Sequence, residues 1–306
     1  MSRWIVRAAV WLAVLALSTV ALAACGSSDD NDKTSSSSSV PVTASEDSAI
    51  AAQVPAAIKS KGTLTVAADA TYPPNEFIKP GTQTVVGMDA DLAKALGQVM
   101  GLDVKVVNAT FESILPGLTA KKYDLGMSSF TDTREREKTI DFVTYYSAGT
   151  SFYAKKQGGG SLTGGLAGLC GKTVAAEKGT TQVDDATAQS KKCTAQGKGA
   201  VKVLVYPDQN GVNLAVSSGR AQIGMADSPV VDYLVKKQAS DQFKLVGTPY
   251  GPYPYGIAMN KGNGMAKPVL AAVQKLIAGG QYKKILQNWA IEDGAISTPK
   301  VNGATS

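Results

Sequence analysis

Short apolar runs alternate with amphipathic segments between positions 61 and 291, and this alternation restricts the fold more than any other feature. Residues 64–68 have the length and composition of a buried strand, and residues 87–101 carry apolar side chains at helical spacing. Because strands that alternate with helices pair mainly in parallel, the pattern predicts an α/β fold with mostly parallel sheets flanked by helices.

The alternation forms two series, which a glycine-rich stretch at 158–169 separates. Extended segments near Ala154 and near Tyr250 are the two candidate crossings between the series. We therefore expect two lobes joined by two strands, with a cleft between them. The predicted boundaries place residues 55–154 and 251–294 in the first lobe, 155–250 in the second, and 295–306 in a disordered tail.

The stretch at 123–142 combines a short apolar strand, a polar turn and a charged segment that we expect to be helical. A helix that starts after a strand gathers backbone N–H groups, and an arginine there adds a two-pronged donor for a carboxylate. We expect Asp132 to cap this helix together with Glu135, which leaves Thr131 and Arg136 to face a ligand. On this pattern alone, a solvated first helical turn is the simpler interpretation.

Five turns that follow predicted strands carry polar or aromatic groups. Ligands of α/β sheets bind beyond the carboxyl ends of the strands, so these turns are predicted to surround one small zwitterion. The groups are Asp69 and Tyr72, then Phe111, then Ser129 with Thr131 and Arg136, then residues 179–181, and finally Asp227.

The first 24 residues are typical of a secretion signal, since Arg3 and Arg7 precede an apolar run and small residues follow it. Residues 22–25 read Leu-Ala-Ala-Cys and resemble the lipobox of bacterial lipoproteins, which predicts cleavage before Cys25 and acylation of that cysteine. Two acyl chains are enough for stable anchoring, so the expected location is the extracytoplasmic face of the bacterial cell membrane. An ordinary secreted protein is the alternative.

Residues 25–54 contain five consecutive serines and many other small polar residues. A segment of this composition cannot bury a core, so we predict a disordered linker between the lipid and the folded domain.

Composition excludes several classes of function. The 306 residues include no histidine, which removes imidazole metal sites and catalysis that depends on histidine. We expect neither a metal nor a cofactor. The formal net charge is +6, but the lysines are scattered, so no nucleic-acid partner is predicted. Cys170 and Cys193 form an even pair in an exported chain and are predicted to form a disulfide.

Over residues 61–291 the chain resembles the family 3 extracellular solute-binding proteins, the amino-acid receptors of ABC importers. The family signature before the first long helix appears as Gly-Met-Asp-Ala-Asp-Leu at 87–92, where Met88 and Ala90 depart from the pattern. Its Thr-x-Thr-x-x-Arg element appears at 131–136, and its second-lobe turns appear at 179–181 and 226–229. The resemblance implies a monomeric receptor with the two-lobed periplasmic-binding-protein fold.

The resemblance also implies a role for each candidate residue. The α-carboxylate of an amino acid would be bound by Arg136, by the hydroxyl of Thr131 and by the backbone N–H groups of Thr131 and Thr181, and Gly179 would let the backbone come close. Asp227 and Ser129 would bind the α-ammonium. Tyr72 and Phe111 would wall the side chain of the ligand, and Asp69 and Glu177 would set its specificity. Because Asp69 and Glu177 are both acids, we expect first a basic amino acid as the ligand, and second glutamine or another polar amino acid.

Some of these assignments have plainer alternatives. Asp227 precedes Ser-Pro and would also suit the cap of a helix. Tyr72 and Phe111 would suit an ordinary core, and Asp69 and Glu177 would suit the surface.

The sequence therefore predicts a receptor, not an enzyme, that closes two lobes on a polar or basic amino acid and delivers it to an ABC importer permease. An enzyme similar to cyclohexadienyl dehydratases is one alternative, and it would need a poised acid such as Glu177 or Asp227. A sensory lipoprotein that binds its ligand without transport is another.

Overall fold

A computed structural model of the protein describes residues 42–306. The predicted signal peptide at 1–24, the acylation of Cys25 and the linker before residue 42 lie outside the described residues. Within the described part, no helix combines the length and the apolar character needed to cross a membrane.

The described residues form an eight-stranded sheet, a small three-stranded sheet and flanking helices. The strands are β1 (Thr63–Ala68), β2 (Thr71–Tyr72), β3 (Glu76–Ile78), β4 (Val85–Val86), β5 (Asp103–Asn108), β6 (Leu125–Gly126), β7 (Ile140–Lys155), β8 (Thr173–Glu177), β9 (Lys202–Tyr206), β10 (Ile223–Asp227) and β11 (Phe243–Asn260). The α-helices are α1 (Ser48–Ala51), α2 (Ala56–Lys61), α3 (Met88–Val99), α4 (Phe111–Thr119), α5 (Thr181–Ala195), α6 (Gln209–Ser217), α7 (Ser228–Tyr233), α8 (Ala266–Ala278) and α9 (Gln281–Trp289).

The main sheet has the strand order β5-β1-β6-β11-β7-β10-β8-β9. Strands β5, β1 and β6 are parallel to one another, and so are β10, β8 and β9. Strands β11 and β7 lie between these two halves, are antiparallel to each other and pair along most of their length. Strand β11 is also antiparallel to β6, and β7 is antiparallel to β10. We call the half with β1, β5 and β6 the first lobe and the half with β8, β9 and β10 the second lobe. The predicted two-lobed α/β fold is confirmed.

The two crossings are the long strands β7 and β11. The segment rich in glycine and proline around Tyr250 does not interrupt β11, which passes through it with register shifts between Val246 and Gly256. Gly251 permits this path, because its φ is 102° and a Cβ would lie 2.9 Å from the Cα atom of Gly149. Bulges of this kind accommodate glycine and proline inside a strand.

The first lobe has an apolar core where α3, α8 and α9 pack on the sheet. Leu92 and Leu96 lie one turn apart on α3, and both are fully buried, as are Val269 on α8 and Ile285 on α9. Burying each such side chain contributes about 1.5–3 kcal/mol, so the strand ends rest on a rigid support.

The second lobe carries the predicted disulfide, which is confirmed. Cys170 and Cys193 are bonded, with their Cα atoms 5.5 Å apart and a separation of 23 in the sequence. Cys193 also belongs to the apolar core of the lobe, next to Ala186 and Leu169. A loop of this length is stabilised by about 3 kcal/mol on the chain-entropy model.

The structure differs from the predicted boundaries at both ends of the described chain. The predicted linker is folded from residue 42 onwards, since Asp47 caps α1 and Ile50 and Val54 join the core of the first lobe. The predicted disordered tail is also ordered, because Val301 forms a β-bridge with Val143. Both segments are rich in small polar residues, and their order depends on partners far away in the chain.

The charged segment after the polar turn is not an α-helix. It forms only a 3-10 turn over Arg136–Lys138, and Asp132 does not cap it. Asp132 is instead fully buried and accepts a hydrogen bond of 2.8 Å from the backbone N–H of Gly303. The hydrogen bond with Gly303, which is far away in the chain, replaces the helix cap that the local sequence predicted for Asp132.

Candidate functional site

A cavity lies between the two lobes, where the strands of each lobe end. Its empty volume is about 330 Å³, which includes space open to solvent. Eight of the ten predicted ligand-binding residues line it, namely Tyr72, Phe111, Ser129, Thr131, Arg136, Glu177, Thr181 and Asp227. Residues that are remote in the sequence are thus brought together around one space between the lobes.

Arg136 joins the two lobes across the cavity. Its guanidinium donates through Nη1 to the carbonyl of Thr131 at 2.7 Å and through Nη2 to the carbonyl of Gly179 at 2.8 Å. The guanidinium carbon lies 5.7 Å and 5.6 Å from the ring centres of Phe111 and Phe130, so the aromatic faces support the cation. Burial lowers the pKa of Arg136, although arginine keeps its charge in proteins. The cavity therefore contains a fixed cation.

Asp227 is a buried acid at the end of β10. Its Oδ1 accepts a hydrogen bond of 2.7 Å from Gln182, and its Oδ2 accepts one of 2.6 Å from the hydroxyl of Tyr255. It occupies the N-cap position of α7 without making a cap hydrogen bond, which excludes the cap interpretation. Burial raises its pKa to about 6, and the two donors and Arg136 limit the rise. Asp227 is therefore an anion at pH 7.

Glu177 is a second buried acid, at the end of β8. The hydroxyl of Tyr72 donates to its Oε2 at 2.5 Å, across the cavity from the other lobe. Its Oε1 is buried without a hydrogen-bond partner among the described residues. Burial raises the pKa of Glu177 to about 9, helped by the negative charge of Asp69. The side chain is therefore neutral at pH 7, and its Oε1 is a buried polar atom without a partner.

Ser129 is held in a left-handed conformation, with φ 52°, by a buried acidic pair. Its backbone N–H donates to Asp89 at 3.0 Å, and its hydroxyl bonds with Glu76 at 3.2 Å and with Asn75 at 2.9 Å. Burial and the nearby Asp89 raise the pKa of Glu76 well above its usual range. Because the hydroxyl of Ser129 is occupied, only its carbonyl remains for a ligand.

Two predicted residues, Asp69 and Gly179, are not among the lining residues. Asp69 lies behind the wall, where its two oxygens accept from the backbone N–H of Phe111 at 2.9 Å and from the hydroxyl of Thr71 at 2.6 Å. It acts on the cavity only through its charge. Gly179 lies at the rim with φ 81° and presents its carbonyl to Arg136.

Several lining residues were not singled out from the sequence. They are Ser128, Gln182, Gln209 and Met225, whereas Thr180 and Ala226 belong to the turns at 179–181 and 226–229 that the sequence did indicate. Gln182 and Gln209 lie in the first turns of α5 and α6, directly after strands β8 and β9. The sequence could have indicated these two glutamines, because a helix that directly follows a strand begins at the carboxyl edge of the sheet, where ligands bind.

Further contacts join the lobes at the rim of the cavity. Lys178 and Glu112 form a salt bridge of 2.8 Å, and the backbone N–H of Gln209 donates to the hydroxyl of Thr71 at 3.3 Å. Both members of the salt bridge are exposed, so this contact adds little stability. The structure is thus closed around the cavity.

The described residues contain no group of three or more acidic, cysteine or histidine side chains that would hold a metal ion. What the site offers is one cation, one anion and one neutral acid in a nearly closed space. Charged groups that lose their water need fixed partners of opposite charge, so the arrangement suits a small molecule with charges of both signs.

Comparison with known proteins agrees with this geometry. The model of the bacterial extracellular solute-binding proteins, family 3, matches residues 64–292. The arginine-binding protein ArgT of Corynebacterium glutamicum is 33% identical over 254 residues, which cover 83% of this chain and 82% of ArgT. The glutamine-binding protein GlnH of Bacillus subtilis is 26% identical, over 93% of this chain and 97% of GlnH.

A solved structure shows the same similarity in three dimensions. The amino acid ABC transporter substrate-binding protein AbpA of Streptococcus pneumoniae, bound to L-arginine, superposes with a TM-score of 0.68 and 27% identity. The match covers 78% of this chain and 96% of AbpA.

Proposed function

The chain belongs to the bacterial extracellular solute-binding proteins of family 3, and on that premise we propose that it binds a basic amino acid, with L-arginine as the first candidate, between its two lobes. The resemblance read from the sequence is confirmed over residues 64–292. The named relatives are binding proteins and not enzymes, so the predicted absence of catalysis is supported over the dehydratase alternative.

The groups common to all amino acids would be bound at the end of the cavity formed by Arg136 and Asp227. The guanidinium of Arg136 has five N–H donors, which suit the two oxygens of an α-carboxylate. Asp227 would pair with the α-ammonium, and the carbonyl of Ser129 would accept a further hydrogen bond from it. Both side chains are held by hydrogen bonds before a ligand enters, so binding orders few additional groups.

The observation that carries the choice of a basic ligand is the unpartnered Oε1 of Glu177, a buried atom in the cavity lining at the end of β8. A buried polar atom without a partner costs about 1–3 kcal/mol, and a neutral aliphatic ligand would leave that cost in place. A guanidinium would supply donors to Oε1 and would stabilise the ionised carboxylate. Tyr72 would then remain on Oε2.

Binding would shift the protein towards the closed arrangement. Arg136 and Glu177 belong to different lobes, so a ligand that contacts both binds more strongly when the lobes are together. Strands β7 and β11 are the connections between the lobes and would act as the hinge.

Delivery to an ABC importer permease completes the proposed function, with the protein tethered as a monomer through an acylated Cys25. The tether is tested by Cys25→Ser, which should move the protein from the membrane fraction to the medium. A variant that still sediments with membranes would contradict the lipid anchor, while binding by the released protein would be unaffected.

Ligand identity is tested by a thermal-shift screen of residues 26–306 against the common amino acids. A ligand present at 100 times its dissociation constant stabilises the folded state by about 2.7 kcal/mol. L-Arginine should give the largest shift, followed by lysine or glutamine. A screen in which no amino acid shifts the melting temperature would overturn the proposed function.

A further inference from the structure

Residues 300–306, which we call the strap, lie beyond the part of the chain that the family model matches. The strap runs beside β7, where Val301 bridges Val143. The backbone N–H of Lys300 donates to the hydroxyl of Thr144 at 2.8 Å, and that of Asn302 donates to the carbonyl of Phe142 at 2.9 Å. The strap is thus bound to one of the two strands that connect the lobes.

Past Asn302, the strap contacts the segment 131–138, which we call the ligand loop. The backbone N–H of Gly303 donates to Asp132 at 2.8 Å, and that of Ala304 donates to Glu137 at 3.0 Å. In return, the backbone N–H of Arg134 donates to the carbonyl of Ser306 at 3.0 Å. Three hydrogen bonds therefore join two segments that are far apart in the sequence.

The opposite side of the ligand loop is held by β11. The backbone N–H of Asp132 donates to the carbonyl of Pro254 at 2.8 Å, and Thr131 forms a bridge with Tyr255. The loop has little regular structure of its own, since only one 3-10 turn forms in it. Its position therefore depends on β11 on one side and on the strap on the other.

The same loop provides Arg136 and the Thr131 carbonyl that orients the guanidinium. A displacement of the loop would move both groups relative to Gly179 and Asp227 in the other lobe. We propose that the strap positions Arg136 for ligand binding by clamping the ligand loop against β11. This inference rests on the proposed function, because it assigns the strap to the residue that would bind the α-carboxylate.

A purely structural role for the strap predicts something different. If the strap only covered the edge of β7, its removal would lower the melting temperature but would leave the affinity of the folded protein unchanged. If it positions Arg136, its removal weakens binding, and the loss depends on the arginine side chain. The two roles are therefore separated by measuring affinity in the presence and in the absence of that side chain.

The experiment compares the mature chain with a variant that ends at Pro299, using calorimetry with L-arginine. We expect the dissociation constant of the shortened chain to rise about tenfold, since a small displacement of a positioned group weakens a charged hydrogen bond by about 1.4 kcal/mol. In an Arg136→Lys background the same deletion should change affinity less than about twofold, because the planar group that depends on position is gone.

Two further variants keep the test decisive. Asp132→Ala removes the acceptor for Gly303 while the strap remains in the chain. We expect this variant to raise the dissociation constant about threefold to tenfold. It tests the role of the strap even where the shortened chain does not fold. Thr298→Ala, at an exposed position just before the strap, is the matched control and should bind like the unchanged chain.

Unchanged affinity in both the shortened chain and Asp132→Ala would overturn the inference, as would an equal loss with and without the Arg136 side chain. Failure of the unchanged chain to bind L-arginine or any other amino acid would instead overturn the proposed function, so the two failures are distinguishable.

Discussion

The two ends of the cavity are built differently. At one end, Arg136 and Asp227 each make two hydrogen bonds within the protein, so their charged groups are fixed before a ligand arrives. At the other end, Glu177 has one partner, Tyr72, and one buried oxygen without a partner. A satisfied pair of opposite charges suits the groups that all amino acids share. An unsatisfied polar atom suits a group that only some of them carry, because the missing hydrogen bond is what a ligand supplies.

The protonation states of the two acids follow the same difference. Both lie at strand ends, and burial raises both pKa values, to about 6 for Asp227 and to about 9 for Glu177. Two donors and a nearby guanidinium offset the burial of Asp227, whereas Glu177 has a single donor and the negative charge of Asp69 nearby. At pH 7 one acid is charged and the other is neutral.

The largest expected effect comes from Arg136→Lys. Lysine keeps the charge but loses the planar pair of donors, so affinity should fall about 100-fold, or by about 2.7 kcal/mol, for every amino acid that binds. Calorimetry with L-arginine and L-glutamine measures the loss. Arg134→Lys, at an exposed position in the same loop, is the control. Equal binding by Arg136→Lys and the unchanged protein would remove Arg136 from the site.

Asp227→Asn should have the second largest effect. The amide keeps the size of the side chain but removes the negative charge opposite the α-ammonium, and we expect a loss of about 30-fold for basic and neutral amino acids alike. Asp232→Asn changes a partly exposed acid on α7 and should have no effect on binding. A loss confined to basic ligands would show that Asp227 belongs to the side-chain end of the cavity.

Glu177→Gln should separate the two ends of the cavity. Affinity for L-arginine should fall about tenfold, because the amide cannot become the anion that a guanidinium prefers. Affinity for L-glutamine should stay the same or improve, so the neutral ligand is the internal control. The same loss for both ligands, measured by calorimetry, would contradict the assignment of Glu177 to specificity.

The smallest expected effect is a dependence of arginine affinity on pH. The free protein holds a proton on Glu177 up to a pKa of about 9, and a bound guanidinium lowers that pKa, so binding releases a proton. Affinity for L-arginine, measured relative to L-glutamine because the α-ammonium of both ligands titrates alike, should therefore rise between pH 7 and pH 9, by about fivefold for a lowering of one pKa unit. Calorimetry in buffers of different ionisation enthalpy measures the released proton. The release should vanish in Glu177→Gln, and its persistence there would exclude Glu177 as the source.

Much of the fold and most of the site could be predicted, because the signals are local. Strand ends, turn residues and the pairing of Cys170 with Cys193 are visible in short stretches of sequence. The structure departs from the local pattern where a residue had two possible hydrogen-bond partners. Asp69 follows a strand as Asp227 does, yet it accepts from the backbone N–H of Phe111 behind the cavity wall. Asp132 resembles a helix cap, yet it binds the strap instead.

The sequence by itself determined the alternation of strands and helices, and therefore which side chains come to the edge of the sheet. Only the tertiary structure decided which oxygens there are satisfied. Glu177 and Asp227 both end strands of the second lobe, but Tyr72 reaches one, while Gln182 and Tyr255 reach the other. Desolvation and hydrogen bonding depend on groups that are distant in the chain, so the same kind of residue in the same local setting is neutral in one place and charged in the other.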